Sequence, residues 1–127
     1  MYPVEIFLIM IAFICCDVAF FYFVKDMFNE QVKLVQGAPI LFDNKLVVGS
    51  VLTYVIITLG FYKFIVLGKK TWVDAFLLGF VLYGMYEMTN YALFEKWKMK
   101  TAIIDTLWGG VLFTLVFWIH KNYLARV

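Results

Sequence analysis

Apolar residues run along this chain in four long stretches, about 4–24, 46–67, 72–94 and 101–119, parted by short polar segments. Each holds about 19–23 residues, close to the ~20 that an α-helix needs to cross a hydrocarbon core of ~30 Å. The first stretch is interrupted by Glu5 near its start and by Asp17. A polar segment from Lys25 to Lys45 follows, with Asn29, Glu30, Gln31, Gln36, Gly37, Pro39, Asp43 and Asn44, and it reads as a loop. Lys63 lies near the end of the second stretch, where its ammonium can snorkel. Gly68-Lys69-Lys70 then forms a tight turn, and Thr71 with Asp74 three residues later resembles a capping box opening the third helix. A short loop, 95–100, joins the third stretch to the fourth. The pattern predicts an all-α, polytopic integral membrane protein, a four-transmembrane-helix bundle forming a single domain over 1–127. The first stretch lacks a basic leader and a small-residue cleavage site and is too long for a signal peptide, so it is expected to stay as a membrane helix.

Composition narrows the class further. Of 127 residues, 65% are hydrophobic and 16% charged, whereas soluble domains carry about 25% charged residues. The bilayer is therefore the first expected partner. A net charge of +2 leaves no basic field for nucleic acid. Orientation is not decided by charge: Lys25, Lys33, Lys45, Lys96, Lys98 and Lys100 on one side face Lys63, Lys69, Lys70, Lys121 and Arg126 on the other. Cys15 and Cys16 are adjacent within an apolar run, which favours packing over a disulfide framework or a metal site. His120 beside Lys121 reads as interfacial, and nothing implies a metal or a cofactor. Trp72, Trp97 and Trp118 lie near stretch ends and fit an aromatic belt.

The candidate chemistry lies in three carboxylates inside the apolar stretches. An acid at membrane depth costs about 2.5–3.5 kcal/mol on insertion scales, so it faces protein or water and often marks function. Counting ~1.5 Å per residue, Asp17 and Glu87 lie about 10 Å, and Asp105 about 6 Å, from the side holding the first and third loops. Ser50, Thr53 and Tyr54 fall at the same level. Tyr83, Glu87 and Asn90 follow an i, i+4, i+7 pattern and stack on one helix face, extended by Gly79. Thr101, Asp105, Trp108 and Gly109 line another. The short loop makes these helices antiparallel neighbours, and Gly79, Gly84, Gly109 and Gly110 permit close approach. Asn90 is then placed to donate to a carboxylate across the pair, and the hydroxyl of Tyr83 or Tyr86 to Glu87. Two acids so close in low dielectric are not expected both to ionise.

The run Tyr83-Gly84-Met85-Tyr86-Glu87-Met88-Thr89-Asn90-Tyr91-Ala92, then Trp97, then Asp105-Thr106-Leu107-Trp108-Gly109 resembles a family of predicted four-helix membrane proteins. That family, a domain of unknown function, occurs in bacteria and in some large DNA viruses. Asp17 matches its first-helix acid. Here Glu87 replaces the usual Asp, and Lys96-Trp97-Lys98 stands where Gly-Trp-Pro is common. The resemblance implies the four-helix architecture and brings no reaction with it.

Three functions remain open. The first is a non-enzymatic structural or anchoring membrane protein, with Asp17, Tyr83, Tyr86, Glu87, Thr89, Asn90, Asp105 and Trp108 as its polar core. Its partners would be other membrane or capsid proteins, or a second copy of the chain. The resemblance suggests one setting, the internal membrane of a large DNA virus particle. The second is a small oligomeric proton- or cation-coupled carrier or channel using the carboxylates. The third is a lipid-acting membrane enzyme, which no nucleophile–base set or metal motif accompanies.

Overall fold

The computed structural model describes residues 2–125, and these form helices and short connections only. Four helices follow in order: α1 Tyr2–Gln36, α2 Asn44–Phe61, α3 Trp72–Leu93 and α4 Met99–Ile119. α2 and α4 each run on into a wider π-helical turn, Tyr62–Val66 and His120–Leu124. Arg126, counted in the charge balance, lies outside the described residues.

The main departure from the sequence reading is the length of α1. Residues from Lys25 onward, read as loop, are helical to Gln36. The cause is an inward stripe that does not stop at Val24: Ile9, Phe13, Phe20, Val24, Met27 and Gln31 recur at helical spacing, all buried or half-buried. At 35 residues the helix is about 52 Å long, well beyond a ~30 Å hydrocarbon core. Gly37 stops it with φ +79°, a conformation that a Cβ would strain. Its N–H donates to the Lys33 carbonyl at 2.8 Å. Asp43 then caps α2, its Oδ1 accepting from the Leu46 N–H at 3.1 Å. At the start of α3, Asp74 Oδ2 accepts from the Thr71 N–H at 3.2 Å and from its hydroxyl at 3.0 Å.

The outside of the bundle is as apolar as the inside. On α4, Ile103, Leu107, Val111 and Leu115 are exposed, while Ala102, Asp105, Thr106, Gly109, Leu112 and Val116 are buried. Exposed aliphatic residues at every turn of a helix suit lipid, not water. The segments 3–36, 44–66 and 99–124 are long and apolar enough to cross a membrane, so this is an integral membrane bundle. α3 is not among those segments, because its second half carries Tyr83, Tyr86, Glu87, Thr89 and Asn90. Its outer face is nevertheless aliphatic, with Val73, Leu77, Val81 and Met85 exposed.

α3 and α4 pack along their whole length as a hairpin and form the centre of the fold. A Cβ added to Gly79 would lie 2.1 Å from the Gly109 carbonyl, and one added to Gly109 would lie 2.5 Å from the Gly79 carbonyl. Backbone therefore meets backbone, as small residues allow between helices in lipid. Gly110 and Gly84 receive Phe76 and Thr106 in the same seam. α1 lies across α4, and α2 joins through its second half, where Ile57, Thr58 and Phe61 are buried. The first half of α2 stands off, leaving Val47, Val51 and Leu52 exposed. Where α1, α2 and α4 meet, Phe13, Phe61 and Phe113 are fully buried and touch edge to face, with centroids 4.9–6.0 Å apart.

Gly79→Ala or Gly109→Ala is expected to destabilise the bundle by about 1–3 kcal/mol or to unfold it, since backbone must move. Gly49→Ala, with nothing within 4 Å of its added methyl, should be neutral or stabilising by up to about 1 kcal/mol. Unfolding in detergent micelles, followed by circular dichroism, separates the two. An unaltered Gly79→Ala protein would contradict the backbone contact.

Candidate functional site

Polar side chains gather between the Phe triad and the end of the bundle that holds the α3–α4 loop. Asp17 comes from the middle of α1, about 21 Å along the helix from Gln31 and about 18 Å from Glu5. The helix that carries it runs on past Val24 to Gln36. Asp17 Oδ1 accepts from the Trp108 indole N–H at 2.8 Å, and Oδ2 accepts from the Tyr54 hydroxyl. One acid on α1 thus holds donors from α4 and α2. Trp108 is further fixed by stacking on Phe20, with centroids 4.2 Å apart.

Glu87 is fully buried on the inner face of α3. Its Oε1 accepts from the Trp97 indole N–H at 3.0 Å. Oε2 has no hydrogen-bond partner among the described residues, and the Asp105 carboxyl of α4 is its acidic neighbour. Carboxylates only accept, so this contact is a hydrogen bond only when one proton is held between the two groups. Trp97 is buried and closes the acid from the loop side. The loop is clamped in turn by Gln31, whose Nε2 donates to the Lys96 carbonyl at 2.9 Å while Oε1 accepts from the Lys98 N–H at 2.8 Å. At the opposite end of the bundle Glu5 pairs with His120 at 2.6 Å and accepts from the Tyr62 hydroxyl at 3.2 Å.

A cavity of about 420 Å³ reaches this group from the side. Asp17, Asp105, Tyr54 and Tyr83 form its polar floor, and Phe21 and Phe28 stand among its apolar walls. Glu87 does not line it. Among the described residues no three His, Cys, Asp or Glu come together to hold a metal ion.

The structure thus brings together Asp17, Glu87, Asp105 and Trp108, with Tyr83 half-buried beside them. It separates Tyr86, 58% exposed, and Thr89, also exposed, from that core. The reason is rotation: one residue turns a helix by about 100°, so Glu87 faces inward and Tyr86 outward. Asn90 is half-buried but bonds to no carboxylate, and Tyr83 does not donate to Glu87, whose donor is Trp97. Trp97, read as an aromatic-belt residue, is a buried partner of Glu87. His120, read as interfacial, meets the Glu5 carboxyl at 2.6 Å. Gln31 was read as loop, and the inward stripe of α1 was the signal that would have found it.

Trp97→Phe leaves a buried carboxyl without its donor and should cost about 1–3 kcal/mol. Trp118→Phe, exposed and without a hydrogen bond, should change stability by less than about 0.5 kcal/mol. Micelle unfolding read by far-ultraviolet circular dichroism distinguishes them, and equal effects would refute the indole–carboxyl bond.

Comparison with curated proteins and with solved structures returned no match. Residues 2–121 match the family described as "Predicted membrane protein (DUF2177)", and the chain, with its helical, lipid-facing bundle, belongs to that family.

Proposed function

We propose that this protein is a non-enzymatic structural membrane protein, a single four-span bundle whose buried acids fasten its helices together. The observation that carries the reading is Asp17, with both oxygens taken by donors from two other helices. Hydrogen bonds between helices in lipid average about 0.6 kcal/mol, so several converging on one acid suit fastening. The aliphatic outer face of α3 supports its crossing the bilayer with the other helices. The part of α1 that overshoots the membrane, with Glu30 and Lys33 near Lys96 and Lys98, offers a polar rim on which a partner protein can dock. The virus-particle setting draws on the resemblance alone, so the proposal stops at the membrane.

A carrier within one chain would need a path past the acids. Phe13, Phe61 and Phe113 fill the interior between Asp17 and the Glu5–His120 pair, which argues against such a path. An enzyme would need an activated nucleophile beside the acids; the hydroxyls that line the cavity are those of Ser50, Tyr54 and Tyr83, and that of Tyr54 is already given to Asp17.

Glu87→Gln decides between fastening and transport. The amide keeps an acceptor for Trp97 and adds a donor for Asp105, so its unfolding midpoint should stay within a few degrees of wild type. Proteoliposomes of either protein should show no pH-driven cation flux. A flux in wild type that Glu87→Gln abolishes would overturn the structural reading.

A further inference from the structure

We infer that the cavity beside Asp17 and Asp105 binds a hydrophobic amine, an amphiphile with a cationic nitrogen head and an apolar tail. Its open side lies along the gap where the first half of α2 stands off from the α3–α4 hairpin. Phe21, Phe28 and Leu46 offer apolar wall for a tail, and the carboxyls at the floor offer a place for the head.

Two independent observations point to a cation. Asp105 is nine-tenths buried and lines the cavity, and among the described residues no N–H donor and no hydroxyl bonds to its carboxyl; its polar neighbour is another acid, Glu87. Second, the whole group is short of positive charge. Asp17 is held by a phenol and an indole, Glu87 by an indole. The Glu5–His120 contact lies beyond the Phe triad. Among the described residues that line the cavity there is no Lys, Arg or His, so a carboxylate charged there has no cation beside it, and buried charges are stable only when paired.

The wall chemistry selects among cations. Calcium or magnesium needs six or more oxygen ligands and enters hydrated, which this mostly apolar cavity does not supply, and among the described residues no three His, Cys, Asp or Glu gather to hold a metal ion. A phospholipid head would bring a phosphate, and among the described residues no Lys or Arg lines the cavity to receive it. An ammonium carried on an alkyl chain meets both the floor and the walls.

The test uses the full chain in lipid nanodiscs and radiolabelled n-dodecylamine, with n-dodecanol as its uncharged counterpart. Wild type should retain about one amine per chain, saturably and at least tenfold more tightly than the alcohol. Asp105→Asn should weaken amine retention at least tenfold. Leu46→Trp, which fills the cavity from the α2 side without touching an acid, should abolish it. Helicity and melting identify any variant that fails to fold, and Leu46→Trp decides the matter if Asp105→Asn does not fold. Retention no greater than in empty nanodiscs, equal retention of the alcohol, or retention unchanged in a folded variant would overturn the site. This outcome is independent of the structural role, which the melting of Glu87→Gln reads.

Discussion

Backbone contact between α3 and α4 at Gly79 and Gly109 sets the geometry on which the other parts of the bundle depend. Lipid tails are as apolar as leucine, so no hydrophobic drive pulls helices together there. Close packing and polar groups with nowhere else to bond must do so. The glycine seam supplies the first, and by bringing the helices so near it lets Glu87 and Asp105 face each other. Larger residues at the seam would hold the helices apart and leave each acid alone in low dielectric, where burial without a partner costs most.

The remaining helices are added to that hairpin by single, well-placed contacts. Trp108 on α4 takes Asp17 from α1, and the same acid takes Tyr54 from α2. Gln31 fixes the far end of α1 to the α3–α4 loop and so holds Trp97 over Glu87. Because α2 touches the rest mainly through its second half, the bundle is tight around the Phe triad and open above it. The cavity follows from that asymmetry rather than from any dedicated loop.

Among the described residues, the side-chain donors that meet Asp17 and Glu87 are neutral. Indoles and phenols present a hydrogen at the edge of a large apolar body, so they can satisfy a carboxylate without a second charge having to be desolvated. The consequence is that, among the described residues, no cationic side chain bonds to these acids.

Much of this was legible in the residue order, because lipid imposes simple rules on a helix. The apolar stretches announced the membrane, and the i, i+4, i+7 series through Tyr83 and Glu87 located an inner face of α3. The same arithmetic places Tyr86 about 100° away, facing lipid, so its exposure also lay in the sequence. The end of α1 did too, in the stripe that runs on to Gln31. What the sequence by itself determined was therefore helix type, number and facing, since these depend on spacing along one helix. Partnership was decided only by the tertiary structure. That Glu87 takes its donor from Trp97, and that Asp17 joins three helices, depends on how a loop folds back and how deep one helix sits beside another. Those are relations between segments far apart in the chain, and no local periodicity encodes them.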